Sequence, residues 1–242
     1  MLENREGKEV PAVSFKVQKD GSWHTVTTED IFAAKNVVVF SLPGAFTPTC
    51  SSTHLPRFNE LAPVFKKEGI DSIVCISVND TFVMNEWLEN QEAENITVIP
   101  DGNGEFSEGM GLLVDKSAIG FGKRSWRYSM LVRNKKIEKM FIEPEVEGDP
   151  FEVSDADTML KYINPKAKLP SFATIFTKKG CPHCTRAKKL LDDKGIIYEE
   201  IELNNKLTRR SMLNVTGGNT TPQVYLDAKY IGTADDLEKF FA

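Results

Sequence analysis

Three of the four cysteines lie in segments that favour thiol chemistry. Cys50 stands where a short apolar run passes into a predicted helix. Unpaired backbone N–H groups and the helix dipole stabilise a thiolate at a helix start. Cys181 and Cys184 enclose a Cys-Pro-His-Cys segment, which in a reducing compartment indicates either a redox-active dithiol or a metal site. Cys75 lies inside another apolar run, and we interpret it as a core residue.

A zinc site is the competing interpretation of the second cysteine pair. A closed zinc site needs four ligands, and the sequence offers only His183 as a third ligand nearby. We therefore favour a redox role and expect no metal. In that role Cys181 is the exposed nucleophile, with the helix N-terminus and Lys178 favouring its thiolate. Cys184 lies inward and can close a disulfide with it.

Hydrophobic spacing predicts the elements that position Cys50. Residues 36–42 and 73–78 predict two buried strands, and the apolar positions within 51–67 predict an amphipathic helix between them. The order of strand, helix and strand predicts a right-handed parallel crossover. Further elements predicted in this half are a helix over 81–90, a hairpin with strands 128–133 and 136–142, and a closing helix over 154–163 capped by Ser154.

A segment with a proline near each end, 164–170, separates two patterns of elements, and we interpret it as a linker. The elements predicted after it are strand 172–176, helix 184–194, strand 197–203, helix 206–215, strands 223–226 and 229–231, and helix 234–241. We therefore predict an α/β protein of two domains, 1–163 and 171–242, joined by that linker.

Composition disfavours several classes of protein. With 40% hydrophobic and 27% charged residues, the chain of 242 residues is expected to fold around a substantial core. A net charge of −5 argues against a general binder of nucleic acid or of anionic membranes. No apolar run reaches the roughly 20 residues that cross a bilayer, and the charged N-terminal segment does not resemble a cleavable signal. We expect a cytoplasmic location.

The segment Pro-Gly-Ala-Phe-Thr-Pro-Thr-Cys-Ser at 43–51 resembles the signature of type II, peroxiredoxin-5-like peroxiredoxins. That resemblance covers residues 1–163 and implies a thioredoxin-like fold with thiol peroxidase activity. It implies that Cys50 attacks the peroxide and that the Thr47 hydroxyl bonds both the thiolate and the peroxide. It also implies that Pro43 shields the thiolate from water.

Arg127 falls where the peroxiredoxin family carries its active-site arginine. Its permanently charged guanidinium is implied to favour the thiolate and to polarise the peroxide oxygens. His54 lies four residues after Cys50 on the same helix face; we interpret it as a packing or solvent-edge residue, although it could also tune the thiolate. Many type II members carry a resolving cysteine later in this domain. Here no cysteine occurs between Cys75 and Cys181, so the first domain must borrow a thiol.

The second half resembles a dithiol glutaredoxin over residues 171–242. The resemblance rests on the Cys-Pro-His-Cys segment, on Thr220–Val224 and on Gly232–Asp236. It implies a second thioredoxin-like domain in which Pro222 is a cis proline beside the active cysteines. The implied glutathione-binding residues are Lys178, His183, Thr221, Pro222, Ala234 and Asp235.

Four of those residues have an implied role toward one part of glutathione. Lys178 would meet the glycine carboxylate, and the Thr221 backbone would meet the cysteinyl unit. Ala234 and Asp235 would hold the γ-glutamyl end at a helix N-terminus. Two residues depart from the family pattern: His183 replaces its usual tyrosine, and Thr221 replaces the more frequent valine before the cis proline.

Together the resemblances imply a glutathione-dependent peroxidase. Cys50 becomes a sulfenic acid, is glutathionylated, and is then reduced by Cys181. Glutathione is the reducing co-substrate, and no bound cofactor is expected. Because the linker is short, we also expect a homo-oligomer, a dimer or a tetramer, with exchange between subunits. The alternatives are a glutathione-dependent disulfide reductase whose first domain is a scaffold, and a peroxide-sensing interaction protein.

Overall fold

The computed structural model describes residues 2–169 and 171–242. The chain forms two compact units, Met1–Ala167 and Lys168–Ala242, so the boundary falls within segment 164–170. Pro170, the last residue of the predicted linker, lies outside the described residues, and the exact domain limits stay a prediction. Within the described ranges, no helix has both the length and the apolar composition needed to cross a membrane.

The first unit is built on a five-stranded sheet of order β5-β4-β3-β8-β9. The strands of this unit are β1 (Ser14–Lys19), β2 (Ser22–Thr27), β3 (Asn36–Leu42), β4 (Ser72–Ser77), β5 (Ile96–Pro100), β6 (Leu113–Asp115), β7 (Lys123–Ser125), β8 (Tyr128–Arg133) and β9 (Lys136–Ile142). Its α-helices are α1 (Thr28–Phe32), α2 (Leu55–Lys67), α3 (Thr81–Asn90), α4 (Glu105–Gly109) and α5 (Ala156–Ile163). A π-helical turn, Cys50–His54, precedes α2, and a 3-10 helix spans Ser117–Ile119.

Strand β3 is the central strand of this sheet, and both of its faces are buried. Successive side chains of a strand point to opposite faces. Accordingly Val38 and Phe40 belong to the apolar cluster that contains α2, whereas Val37 and Val39 belong to the cluster on the other face. β3 runs parallel to β4 and antiparallel to β8, which confirms the predicted parallel pairing and places the end of β3 between two neighbouring strands. The handedness of the crossover stays a prediction.

The second unit has a four-stranded sheet of order β11-β10-β12-β13. Its elements are β10 (Phe172–Thr177), α6 (Pro182–Asp193), β11 (Ile197–Glu202), α7 (Arg209–Thr216), β12 (Gln223–Leu226), β13 (Lys229–Gly232) and α8 (Ala234–Phe241). β10 pairs in parallel with β11 and antiparallel with β12. This repeats the pairing of β3 with β4 and β8. In both units, a cysteine segment follows the carboxyl end of the strand with this mixed pairing.

The predicted closing helix of the first unit is wrong at its start. α5 begins at Ala156 and is capped by Asp155, whose carboxylate accepts from the backbone N–H of Thr158. Ser154 does not cap it, because its own N–H and hydroxyl both donate to the buried carboxylate of Glu143. The competing acceptor lies eleven residues earlier in the chain and is not visible from the local pattern.

Candidate active sites

The loop between β3 and the π-helical turn holds Cys50 at the carboxyl end of the sheet. The Ala45 N–H donates to Asn79 Oδ1 over 3.1 Å, and that oxygen also accepts from the Ser77 hydroxyl. Phe46 adopts a left-handed backbone conformation with φ of 62°. These contacts tie the loop to the end of β4. The Cys50 side chain that follows is fully buried.

Arg127 reaches Cys50 from the neighbouring strand. Ser41 pairs with Tyr128, so Arg127 lies at the level where β3 ends. Its side chain is buried, and its Nη1 lies 3.5 Å from Cys50 Sγ. Although burial lowers the pKa of Arg127, the charge of Cys50 and the Asp149 carboxylate raise it overall. A fixed cation therefore faces the sulfur, which is the arrangement that stabilises a thiolate.

His54 is buried beside Arg127 and packs against aromatic rings, which agrees with its interpretation as a packing residue, whereas the alternative of a solvent-edge residue is wrong. Arg127 Nη1 lies 3.1 Å from His54 Nδ1, and His54 Nε2 lies 3.2 Å from the carbonyl oxygen of Ser154. Because that carbonyl can only accept, Nε2 carries the proton and Nδ1 accepts from Arg127. Burial, followed by the charge of Arg127, lowers the pKa of His54 to about 3. The ring is therefore neutral and orients the guanidinium.

The other predicted residues of the first site lie around the same loop. The Thr47 hydroxyl donates to the Gly44 carbonyl over 2.9 Å, and Pro43 is half-buried immediately after β3. Their roles toward thiolate and peroxide stay predictions. Cys75 is buried within β4, as predicted, and burial raises the pKa of its thiol. A buried thiol that resists ionisation is a poor nucleophile.

The second site is at the start of α6. Cys181 is the N-cap residue, and its sulfur accepts from the Cys184 N–H over 3.2 Å. The two cysteines form a disulfide. In this oxidised form Cys181 is only 6% exposed, and its role as the nucleophile of the reduced form stays a prediction. Thr221 covers it, with its carbonyl oxygen and its hydroxyl each 3.6 Å from Cys181 Sγ.

A groove of about 620 Å³ opens over Cys181. Three of the predicted glutathione-binding residues line it: Lys178, His183 and Thr221. Pro222 follows a cis peptide bond, as predicted, and is buried just beneath.

Ala234 and Asp235 do not line this groove. They begin α8, where Ala234 is buried and the exposed Asp235 pairs with Arg186. Their role toward glutathione stays a prediction.

Sequence reasoning missed several residues that border the two sites. Asn204, Thr208 and Arg209 line the groove over Cys181, and Arg209 also donates to the Asn219 carbonyl over 2.7 Å. Thr208 is the N-cap residue of α7, and the predicted helix over 206–215 hid this role because it placed Thr208 inside the helix. In the first unit, Asp149 lies 2.5 Å from Arg127 Nη2. No local pattern marks an exposed loop aspartate as the partner of a buried arginine.

Family models match both halves of the chain. The model described as Redoxin matches residues 5–160, and the model described as Glutaredoxin matches residues 173–231. These matches cover the Cys50 site and most of the Cys181 site. They confirm the two thioredoxin-like domains that the sequence predicts.

Relatives and solved structures agree with the family models. The chain is 61% identical over its full length to "Hybrid peroxiredoxin hyPrx5" of Haemophilus influenzae, all of which it covers. A Synechocystis peroxiredoxin is 56% identical over 64% of this chain and 88% of its own. Reduced Prx3 from Vibrio vulnificus in complex with hydrogen peroxide matches with a TM-score of 0.63 and 37% identity, over 66% of this chain and 99% of that one. Peroxiredoxin 5 from Alvinella pompejana has a TM-score of 0.59, 29% identity, and coverage of 68% and 100%. The chain therefore belongs to the peroxiredoxins, thiol peroxidases of the redoxin family, and carries a C-terminal glutaredoxin domain, as hybrid peroxiredoxins do.

Proposed function

We propose that this peroxiredoxin draws its electrons from glutathione and that Cys50 is the thiol that attacks the peroxide. The observation that carries this assignment is the 3.5 Å approach of buried Arg127 to Cys50 Sγ. As the sulfur forms a bond to one peroxide oxygen, the O–O bond breaks and its electron pair leaves on the other oxygen, which takes up a proton. Fixed positive charge beside that oxygen lowers the barrier. The products are a sulfenic acid on Cys50 and water or an alcohol.

Glutathione is the thiol proposed to resolve this sulfenic acid. Cys75 is the only other cysteine of the first unit, and its burial within β4 and its raised pKa make it an unsuitable partner. A glutathione thiol condenses with the sulfenic acid, forms a mixed disulfide with Cys50 and releases water. This step requires no cysteine of the first domain beyond Cys50.

The second domain then takes the glutathionyl group. The Cys181 thiolate attacks the glutathione sulfur, a new disulfide forms on Cys181, and Cys50 leaves as its thiolate. A second glutathione releases glutathione disulfide from Cys181. Alternatively Cys184 displaces glutathione and closes the disulfide seen in the structure, which two further glutathiones reduce. The groove residues Lys178, His183 and Thr221 are proposed to bind glutathione. Pro222, Ala234 and Asp235 are the other proposed glutathione-binding residues.

The short connection between the units supports the proposal of exchange between subunits. Asn164 donates to Glu68 and Ala167 packs against the first core, so the first half of the linker belongs to the first unit. The second compact unit begins at the next residue, Lys168, so the connection is short. A chain spans at most roughly 3.6 Å per residue, which limits the reach of the tethered module. We therefore propose that the protein is a homo-oligomer, a dimer or tetramer. We also propose that it is located in the glutathione-rich cytoplasm.

Peroxide consumption driven by glutathione tests this function. Cys50→Ser is expected to abolish turnover with hydrogen peroxide and with an alkyl hydroperoxide, whereas Cys75→Ser serves as the matched control and keeps it. Cys181→Ser is expected to slow turnover while leaving the first oxidation of Cys50 intact. Wild-type peroxide consumption by Cys50→Ser, with disulfide reduction retained, would instead indicate a disulfide reductase. One oxidation event without sustained turnover would indicate a peroxide sensor.

A further inference from the structure

The loop from Glu143 to Ser154, between β9 and α5, is anchored by a buried carboxylate. The Glu143 side chain accepts from the N–H groups of Glu152, Val153 and Ser154 over 2.8 to 3.0 Å, and from the Ser154 hydroxyl over 2.7 Å. Its residue is only 1% exposed. Four donors on one buried carboxylate leave this end of the loop little freedom.

The same residue is tied to the backbone beside Arg127. The Glu143 N–H donates to the Arg127 carbonyl over 3.1 Å, and the Trp126 indole N–H donates to the Glu143 carbonyl over 2.8 Å. The loop is therefore fixed relative to Arg127 at both of its ends, because its far end is held by the Glu143 carboxylate.

The middle of this loop carries two side chains onto the guanidinium. Phe151 lies with its ring centroid 5.5 Å from Arg127 Cζ and 4.9 Å from the His54 ring centroid. Asp149 Oδ1 accepts from Arg127 Nη2 over 2.5 Å. The Arg127 side chain is 1% exposed and that of Asp149 is 41% exposed. The partly exposed carboxylate of Asp149 is therefore paired with the buried guanidinium of Arg127.

We propose that Asp149 is a positioning residue for the peroxidase reaction and that Glu143 holds it in place. Nη1 of Arg127 faces Cys50 and His54, while Nη2 is held by Asp149. Contacts on both terminal nitrogens fix the rotation of the planar guanidinium, which a single contact does not. Asp149 also brings negative charge toward the thiolate, which opposes the pull of Arg127 on it. Its benefit is therefore expected in the geometry of O–O cleavage and not in the formation of the thiolate.

This inference rests on the proposed role of Cys50, and two reactions of that thiol test it. Oxidation by one equivalent of hydrogen peroxide, measured in a single turnover without glutathione, requires both the thiolate and the positioned guanidinium. Alkylation by iodoacetamide requires the thiolate alone. For Asp149→Asn, which keeps an acceptor oxygen, we expect oxidation to slow about tenfold, and for Asp149→Ala further, while alkylation changes less than about twofold. Glu143→Gln should likewise slow oxidation and leave alkylation nearly unchanged.

Glu147→Ala is the matched control, because it removes the same charge from an exposed position of the same loop. It should leave both reactions unchanged. Three results would each overturn the inference: unchanged oxidation in both Asp149 variants, an equal decrease in Glu147→Ala, or alkylation that slows as much as oxidation. The Cys50→Ser variant distinguishes failure of this inference from failure of the proposed function. If Cys50→Ser is inactive while the Asp149 variants match the wild type, only the positioning role is refuted.

Discussion

Acid should destabilise the first domain through one buried histidine. His54 is fully buried, and burial together with the charge of Arg127 lowers its pKa from 6.5 to about 3. In the unfolded chain the ring recovers its ordinary pKa and takes up a proton below pH 6.5. The unfolded state then binds more protons than the folded state, so the free energy of unfolding falls as pH decreases from about 6.5 toward about 3.

The size of this effect follows from proton linkage. Each pH unit below 6.5 costs about 1.4 kcal/mol for a single group that protonates only in the unfolded state. Lowering the pH from 7.5 to 5 therefore removes roughly 2 kcal/mol through His54. The figure at pH 5 does not depend on how low the folded pKa lies, because the folded ring is already neutral there. Carboxylates also make the free energy of unfolding depend on pH, so only a comparison of variants isolates the contribution of the histidine.

Urea unfolding at pH 7.5 and pH 5, followed by tryptophan fluorescence, measures the difference. The three tryptophans are Trp23, Trp87 and Trp126, so the signal reports the first domain alone. His54→Gln can still accept from Arg127 and donate to Ser154, but it does not titrate. Its loss of stability between the two pH values should be smaller than that of the wild type by roughly 2 kcal/mol.

His24→Gln supplies the matched control. His24 is exposed on β2, and its replacement should leave the pH dependence of the wild type intact. The reasoning is refuted if His54→Gln loses as much stability as the wild type between pH 7.5 and pH 5. It is refuted equally if His24→Gln reproduces the reduced dependence.

Three further variants probe the two sites. Thr47→Val keeps the side-chain shape but removes the hydroxyl, and it should slow single-turnover peroxide oxidation by about a hundredfold if that hydroxyl bonds the reacting oxygens. Cys184→Ser should keep glutathione-dependent turnover within about twofold, because Cys181 alone can complete the monothiol route; complete loss would rule that route out. Gly218→Ala places a Cβ 2.2 Å from Gln223 Oε1. Thermal unfolding should show a loss of stability of roughly 1 to 3 kcal/mol, and a glutathione-disulfide exchange assay should show slower exchange.

Elements with strong internal patterns were predictable from the sequence. β3 and the hairpin of β8 and β9 occur at the predicted residues. The hairpin turn, Asn134–Lys135, has positive φ at both positions, which matches the twist of two-residue hairpins. β1 and β2 were missed because most of their residues are polar, although Phe15 of β1 is buried in the core. They pair with each other as antiparallel strands, which a local reading does not capture.

The residues of the candidate sites also fall into two groups: those that a local pattern reveals and those that depend on long-range packing. Cys50 and Cys181 were found because each follows a strand and stands at the start of a helical turn, which is a local arrangement. Arg127 was found only through resemblance, since nothing in its neighbourhood indicates that it reaches Cys50 across 77 positions of sequence. The ring of His54 could not be assigned from spacing alone. Spacing places it on the face of Cys50, but only the packing of Phe40, Phe58 and Phe151 around it shows that it is buried.

The two sites meet opposite physical requirements. At the first site, a buried guanidinium needs acceptors, because an unpaired buried charge is strongly destabilising. His54 Nδ1, Asp149 Oδ1 and Cys50 Sγ face it from two separate segments, the π-helical turn and the loop after β9, so the site depends on long-range packing. At the second site, Cys181 sits under an open groove and is held mainly by its own helix turn and by Thr221. The open groove over Cys181 therefore suits the proposed binding of glutathione, and the enclosed setting of Cys50 suits the proposed reaction with a small peroxide.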